Sequence, residues 1–347
     1  MKCYHFNIRL NNVRNNHAGS KAVEDCKAIL LNNNFEDIEV SFIKKGYMMP
    51  FNLMKLFASL LLYSFKVKTG SFIIVQYPLL GINKYFKHFA KMLKNKHCKL
   101  VCIIHDLDSI RSEDNAAKIA REIDALNAYD AVIAHNGSMN AWLIENGYKG
   151  KIAIIELFDY LVSDNLSNRS VVKNNDNVVF AGNLGRCLFL ADLNSIHATK
   201  FNLYGPGLNS DVLTDSSNIA WNGSFTPEQI VNELSGKYGL IWDGTSIETC
   251  TGLFGIYLKY NTPHKASLYF VSNLPVIVPA HSAIATYVLN NNLGIVVDNL
   301  KHLPEVLSKV SEQQYDEMKA NVVKVGERLK NGFYLRSTVD QVIELVH

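Results

Sequence analysis

Two stretches in the second half of the chain hold residue types that could bind a diphosphate. The first, Val178 to Arg186, reads VVFAGNLGR, an apolar strand that runs into a Gly-x-x-Gly loop and a helix start. Gly182 and Gly185 let a ligand approach the backbone, and a helix start offers unpaired N–H groups to a phosphate. Arg186 could clamp that phosphate with two hydrogen bonds. The alternative is an ordinary strand–helix turn with Arg186 in solvent, because a glycine-rich turn is common by itself.

The second stretch, Tyr257 to Val288, places a lysine at a helix start. Lys265 follows Pro263 and begins an apolar helix, where a cation is disfavoured by about 0.3–1 kcal/mol unless an anion binds beside it. A second helix begins after Pro279 at the same predicted sheet edge, which favours a nucleotide diphosphate over a solvated helix cap with a core histidine. Aromatic rings near strand ends could stack on a base, with core packing as the alternative. The residues assigned to this site are Gly182, Asn183, Arg186, Tyr204, Tyr257, Lys259, Asn261, His264, Lys265, Ser282 and Ala283.

Candidate catalytic groups follow a buried strand of the first half, LVCIIH. His105 closes this strand, and Asp106, Leu107 and Asp108 follow it. A carboxylate or histidine at a strand end suits a general base that takes a proton from a hydroxyl group. We take Asp106 as the first candidate and His105 as the second, while a helix-capping role for Asp106 stays open. Asp106 and Asp108 also form a DxD string, which can hold a divalent cation but is frequent by chance, and we expect no metal.

A polar loop after the first strand is the remaining candidate for the site. It ends in Gly19, Ser20 and Lys21, whose N–H groups and charge could contact either a diphosphate or an acceptor. The Gly-Ser-Lys string is not a Walker motif because the upstream glycine is missing.

Positive charge is concentrated in the first hundred residues, which carry 16 basic and 5 acidic side chains although the net charge of the whole chain is only +3. A basic helical face beside an apolar helix is typical of proteins that rest on an anionic membrane. A solvated helix face is the alternative, and no nucleic-acid-binding motif accompanies the charge. The lysines of this face are Lys84, Lys87, Lys91 and Lys94.

Short apolar strands alternate with helices along the chain, which predicts an α/β protein with parallel sheets. We divide it into a first Rossmann-like domain at 1–160, a linker at 161–176 and a second Rossmann-like domain at 177–332, with a last helix at 333–347 that packs back on the first. Ligands of such sheets bind at the carboxyl ends of the strands, so the site is expected in a cleft between the domains. Helices are predicted at Cys187–Leu193 and Thr226–Glu233 among others.

Composition limits the class of protein. Hydrophobic residues make up 48% of the 347 residues, enough for a core, and six scattered cysteines without a CxxC pair favour a reduced, cytoplasmic protein. The N-terminus lacks the pattern of a signal peptide, and no segment has the roughly 20 apolar residues of a membrane span.

Several motifs together resemble the GT-B glycosyltransferases. They are FAGNLGR (180–186), LYGPG (203–207), WNG (221–223) and KYNTPHKASLYFVSNLPVIV (259–278). Within that class the chain is most similar to the β-1,6-galactofuranosyltransferases and to the glucosyltransferases that extend sugars on bacterial serine-rich adhesins. The resemblance implies a UDP-sugar donor in the second domain, an acceptor in the first, and transfer without a metal or other cofactor. Retaining GT-B enzymes carry a Glu-x7-Glu motif, whereas Tyr260–Pro275 contains no acidic residue, so we expect inversion.

The resemblance predicts transfer of a hexose from UDP-sugar to a glycan acceptor in bacterial polysaccharide or glycoprotein synthesis. Galactofuranose is the first candidate sugar, and glucose, galactose and GlcNAc are the others. We expect a cytoplasmic protein at the inner face of the plasma membrane, with an acceptor that could be lipid-linked and with self-association as a further possibility. A UDP-sugar epimerase of the same fold and a non-catalytic scaffold subunit are the alternatives.

Overall fold

The computed structural model describes residues 1–10, 18–42, 49–79, 83–112, 116–163, 176–213 and 216–347. Most of the predicted linker, 164–175, therefore lies outside the described residues, as does the side chain of Lys84, and Gly19 is described only by its helical backbone. Two compact units are present in the chain. The first contains residues 1–10, the described part of 22–155, and Leu335–His347, and the second contains residues 18–21 and the described part of Glu156–Tyr334.

The first unit is built on a six-stranded parallel sheet with the strand order β2-β1-β3-β4-β5-β6. Its strands are buried apolar segments; all six residues of the third strand, for example, are buried. The elements in chain order are β1 (Cys3–Leu10), α1 (Ala18–Asn32), β2 (Glu36–Phe42), α2 (Met49–Lys66), β3 (Phe72–Tyr77), α3 (Asn83–Asn95), β4 (Lys99–Ile104), α4 (Ala116–Leu126), β5 (Ala131–Ala134), α5 (Gly137–Glu145) and β6 (Lys151–Ile154).

The second unit has its own six-stranded parallel sheet, with the order β12-β11-β10-β7-β8-β9. The elements are β7 (Val178–Ala181), β8 (Phe201–Tyr204), β9 (Ile219–Trp221), α6 (Ile230–Glu233), β10 (Tyr238–Leu240), α7 (Gly252–Tyr257), α8 (His264–Val271), β11 (Val276–Pro279), α9 (Ile284–Asn290), β12 (Gly294–Val297), α10 (Leu303–Ser308), α11 (Glu312–Lys330) and α12 (Phe333–Val346). The predicted α/β class with two parallel sheets is confirmed. Parallel pairing brings the carboxyl ends of neighbouring strands to one edge of each sheet, where the chemically active residues were predicted.

Two helix predictions for the second half were wrong in detail. Residues 188–195 form a 3-10 helix, in which buried Leu190 and Leu193 recur at the three-residue spacing of that geometry. In place of Thr226–Glu233 only the four-residue α6 is helical, after a turn closed by hydrogen bonds between Thr226 and Gln229. Gly332, whose φ of +67° is left-handed, separates α11 from α12.

The described residues give two further results about the whole chain. None of their helices combines the length and apolar character that crossing a bilayer requires. Nor do they contain a cluster of three or more histidine, cysteine, aspartate or glutamate side chains placed to hold a metal ion.

Candidate active site

Four glycines let two loops of the second unit pack directly against each other. The loop after β7 contacts the loop after β8, and the amide of Gly182 donates to the carbonyl of Tyr204 at 3.0 Å. Gly205 has a φ of +133°, and a Cβ there would collide with the carbonyl oxygen of Gly182. Gly185 and Gly207 meet in the same way, since a Cβ on Gly185 would lie 2.9 Å from the carbonyl oxygen of Gly207. The backbone at the carboxyl end of β7 is therefore open to a ligand and fixed in shape.

Lys265 lies over this loop. It is in the first turn of α8, behind Pro263, and no side chain caps that helix start. Its ammonium nitrogen is 4.2 Å from the ring centroid of Phe180, and its Cε is within 3.2 Å of where a Cβ on Gly182 would be. The lysine charge and the positive end of α8 thus act at the same place, beside Gly182.

Arg186 supplies a second cation beside the same strand. It ends the 3-10 turn Leu184–Arg186, and its guanidinium carbon is 4.5 Å from the ring centroid of Phe254. Within the described parts of the chain neither Arg186 nor Lys265 has a carboxylate partner within ion-pair distance. Two cations that rest on aromatic rings without a protein counter-ion make this edge of the sheet suited to an anion.

The buried thiol of Cys187 lies within electrostatic range of both cations. Burial raises the pKa of the Cys187 thiol, Lys265 and Arg186 act to lower it, and Asp243 acts to raise it. Asp243 is therefore an acidic residue in the vicinity of both cations, in addition to the residues that the sequence assigned to the site.

The predicted residues at the second helix start already use their hydrogen-bonding groups within the fold. The Ser282 hydroxyl and the Ser282 amide both donate to the carbonyl of Pro279, at 2.6 and 3.0 Å. The Ala283 amide donates to the carbonyl of Leu258 at 2.8 Å. These groups are therefore engaged in holding the chain, unlike the uncapped first turn of α8.

The four other residues that the sequence assigned to this site differ in their exposure to solvent. Tyr257 is buried, Lys259 is exposed, and the Oδ1 atom of Asn261 is buried without a hydrogen-bond partner in the described structure. Asn183 is exposed in the β7 loop.

The side chain of Tyr204 lies at a different place in the second unit from Lys265 and Arg186. Its hydroxyl accepts a hydrogen bond from the Ser235 amide at 3.0 Å, and its ring helps to line a separate polar cavity of about 290 Å³. The other residues around that cavity are Asn177, Asn202, Asn222, Phe225, Glu233 and Ser235.

His264 and Lys21 meet at one aromatic ring. The imidazole of His264 stacks on Tyr160 with a centroid distance of 5.1 Å, and the Lys21 ammonium lies 4.9 Å from the centroid of the same ring. Lys21 also donates to the carbonyl of Leu161 at 2.8 Å. Burial lowers the pKa of His264 to about 4, so the ring is neutral at physiological pH. The predicted Gly19-Ser20-Lys21 segment thus places its lysine beside the first residue of α8.

In the first unit the two carboxylates of the DxD string share an arginine. Arg111 contacts Asp106 at 3.0 Å and Asp108 at 2.7 Å. A guanidinium between two carboxylates supplies the positive charge that a cation would bring in a metal-binding DxD string. Sequence reasoning overlooked Arg111, although its position three residues after Asp108 was the available signal.

Glu122 of α4 fixes the backbone that carries these carboxylates. It is buried, accepts the Tyr77 hydroxyl at 2.9 Å, and accepts the backbone amides of Asp108 and Ser109 at 3.1 and 3.0 Å. Burial, followed by the charge of Glu122, raises the pKa of Tyr77. Asp106 and His105 therefore stand on a rigid turn at the end of β4, each partly exposed.

Two parallel six-stranded sheets, each in its own α/β unit, form the GT-B fold. A solved structure of HepE from Anabaena in complex with UDP superimposes with a TM-score of 0.64 at 12% identity, covering 100% of this chain and 99% of that one. This likeness establishes the fold.

The family follows from sequence. The chain matches the family models "Glucosyltransferase 3-like, N-terminal domain" over residues 6–157 and "Glucosyltransferase 3-like, C-terminal domain" over residues 178–342. It is 33% identical over 261 residues to the β-1,6-galactofuranosyltransferase WbbI of Escherichia coli K12, with 74% of each chain covered. It is 27% identical over 280 residues to Glucosyltransferase 3 of Streptococcus gordonii, with 80% of each covered. The chain belongs to the Glucosyltransferase 3-like family and is a glycosyltransferase, as the motif resemblance predicted.

Proposed function

We propose that the chain transfers a hexose from a UDP-sugar to a glycan acceptor, without a metal and with inversion at the anomeric carbon. The observation that carries this proposal is the pair of cations, Lys265 and Arg186, around the open backbone at Gly182. Charge develops on the UDP leaving group during transfer, and fixed cations together with a helix start stabilise it in the place of a metal ion. The names of the related proteins make galactofuranose the first candidate sugar and glucose the second. Galactose and GlcNAc are the other candidates.

The acceptor hydroxyl needs a base. In the proposed reaction its proton passes to Asp106, or to His105 as the second candidate, while its oxygen bonds to the anomeric carbon. The bond from that carbon to the UDP oxygen breaks, and UDP leaves with the electron pair on the opposite face of the sugar. Arg111 keeps the Asp106 carboxylate in a fixed orientation for this step.

We expect UDP to bind in calorimetry with the same affinity in EDTA as in Mg²⁺, and GDP and dTDP to bind at least tenfold more weakly. The insensitivity to EDTA follows because Lys265, Arg186 and the α8 start neutralise the diphosphate themselves. The preference for UDP follows from the proposed UDP-sugar donor, since GDP and dTDP carry the same diphosphate. Loss of UDP affinity in EDTA would contradict metal independence, and a preference for GDP or dTDP would contradict the proposed donor. Incubation with a UDP-sugar alone is the second measurement, since formation of a different UDP-sugar would identify an epimerase instead.

We further propose that the first unit contacts an anionic membrane surface, at the inner face of the plasma membrane, where a lipid-linked glycan would be the acceptor. Residues 40–105 contain eleven lysines and no aspartate or glutamate. Helix α2 packs on β2 and α3 through one face and exposes large apolar side chains on another, up to 75% for Phe65. The exposed apolar side chains of α2 are Phe51, Met54, Phe57, Leu61, Leu62 and Phe65.

The lysines of α3 divide into two groups. Lys87 pairs with Asp124 at 2.7 Å and Lys94 pairs with Asp130 at 3.2 Å, which leaves Lys91 exposed and without an ion pair in the described structure. An amphipathic surface that combines apolar side chains with excess lysine binds anionic lipid both by burying apolar area and by electrostatic attraction. Self-association through the apolar face of α2 is the competing outcome.

The double variant Leu62→Glu/Phe65→Glu should bind vesicles of phosphatidylglycerol at least tenfold more weakly than the unmodified protein, because each apolar side chain contributes roughly 1.5–3 kcal/mol when buried. Co-sedimentation measures the binding. The control is Leu289→Glu, an equally exposed leucine of the second unit, which should bind as before. The proposal is contradicted if the unmodified protein does not bind anionic vesicles. If light scattering then shows a dimer that the double variant no longer forms, α2 is an interface between two copies.

A further inference from the structure

A chain of hydrogen bonds crosses the sheet of the first unit and ends at His105. The Nε2 atom of His105 is 2.6 Å from Oε1 of Gln76, and Nε2 of Gln76 is 2.9 Å from Nε2 of His5. Nδ1 of His5 is 2.9 Å from Oδ1 of Asp37, and Oδ2 of Asp37 is 2.7 Å from the ammonium of Lys27. His105 follows directly after β4, and Gln76, His5 and Asp37 lie on the successive neighbouring strands β3, β1 and β2. Lys27 lies on α1.

One backbone carbonyl fixes the direction of every bond in this chain. The Gln76 side-chain nitrogen also lies 3.1 Å from the carbonyl oxygen of Val23, which can only accept. The NH2 group of Gln76 must therefore face Val23 and His5, and its carbonyl oxygen must face His105. Consequently His5 accepts at Nε2 and carries its proton on Nδ1, while His105 carries a proton on Nε2.

The far end of this series of hydrogen bonds is held by two charged residues, Asp37 and Lys27. Burial alone would raise the pKa of Asp37, but hydrogen bonds from His5 and Lys27 outweigh it, so the pKa lies below its usual value and the carboxylate is ionised at neutral pH. Lys27 is held in turn by Glu39 at 2.7 Å. Hydrogen bonds that all point the same way polarise one another, so a carboxylate at the end strengthens each link toward His105.

We propose that Gln76 and His5 are positioning residues that hold His105 in the Nε2–H tautomer, the form whose basic lone pair is on Nδ1. This deepens the proposed function, because it rests on His105 acting in the transfer and specifies through which atom it acts. Gln76 and His5 are buried, at 4% and 0% exposure, and therefore act only through His105.

The test uses ¹⁵N-histidine NMR of the full chain, in which ring nitrogen shifts report the tautomer of His105, assigned with a His105→Asn variant. In the unmodified protein and in Gln76→Glu, where a carboxylate oxygen still accepts from His105, we expect the Nε2–H form. In Gln76→Met, which has nearly the same size but no acceptor, we expect a mixture of tautomers. The value of kcat should fall at least tenfold in Gln76→Met, recover at least partly in Gln76→Glu, and show little change in KM for the donor.

If Gln76 had a purely structural role, the two variants would rank differently in how much activity they lose. Gln76→Glu places a carboxylate oxygen against the Val23 carbonyl and would then be at least as damaging as Gln76→Met. The control is Ser71→Ala, which removes a buried 2.6 Å hydrogen bond to Lys68 at the other end of β3 and should change neither tautomer nor kcat by more than twofold. Thermal unfolding verifies that each variant is folded. Asp37→Asn, at a partly exposed position, weakens the same series of hydrogen bonds at its far end and is a milder second variant.

The two proposals fail separately in this experiment. An unchanged tautomer in Gln76→Met overturns the positioning role, whatever the activity. Full transfer activity in His105→Asn overturns the role of His105 in the reaction, whatever the NMR result.

Discussion

Lys265→Ala should lower kcat/KM for sugar transfer by about 10²–10³-fold, the usual effect of removing one preorganised group that stabilises developing charge. The ammonium of Lys265 lies beside Gly182 with no carboxylate partner in the described structure, so its loss removes one of the two cations of the site and leaves only Arg186. UDP affinity in calorimetry should fall as well, because the diphosphate of the product carries the same charge as the leaving group. Steady-state kinetics with UDP-sugar and calorimetry with UDP measure the two effects.

Lys200→Ala is the matched control for this variant, since it removes an exposed lysine of the same unit and should leave both quantities within twofold. Lys265→Arg retains the charge and should lose less than Lys265→Ala. Unchanged turnover and unchanged UDP affinity in Lys265→Ala would mean that the donor diphosphate binds elsewhere.

Asp106→Asn should lower kcat by about 10²–10⁴-fold, the range that a general base contributes, while KM for the donor changes little. The asparagine keeps the size of the side chain but cannot take the proton of the acceptor hydroxyl. Single-turnover measurements of sugar transfer isolate the chemical step from product release.

Asp108→Asn separates the chemistry of Asp106 from its structural role. Asp108 contacts the same arginine, Arg111, but its side chain is 65% exposed, and its amide variant should retain activity within a few-fold. If both variants lost the same activity, the loss in Asp106→Asn would come from breaking the ion pairs with Arg111 that hold the turn. It would then be no evidence that Asp106 is the base. Full activity in Asp106→Asn together with a large loss in His105→Asn would transfer the role of base to His105.

Local sequence patterns predicted the two sheets because strands that are buried on both faces are continuous apolar runs, such as Phe72–Tyr77. Patterns also predicted that Lys265 begins a helix, since Pro263 precedes an apolar periodic segment. They missed the 3-10 helix at 188–195, whose apolar residues fit either helical spacing over so short a length. Element type was thus predictable wherever the apolar pattern was long enough to distinguish the alternatives.

The side-chain partners were much harder to predict, because they depend on residues that are distant in sequence. Glu122 holds the turn at Asp108 from a separate helix, and Gln76 joins His5 to His105 across strands that no local pattern places side by side. Lys21 was predicted to serve a ligand, and nothing in its neighbourhood indicated that it would lie on Tyr160, 139 residues later. Strand order decides these contacts, and a single sequence leaves the order open.

The contact between Gly182 and Gly205 has a practical consequence for redesign of this enzyme. Because no side chain fits between the two loops, neither backbone can shift without displacing the other, and the pair behaves as a single block. Directed evolution that randomises only 182–186 would therefore discard most variants through misfolding before selectivity is ever sampled. Libraries that vary 182–186 and 205–207 together, with the four glycines of the two loops kept, would lose fewer variants to misfolding.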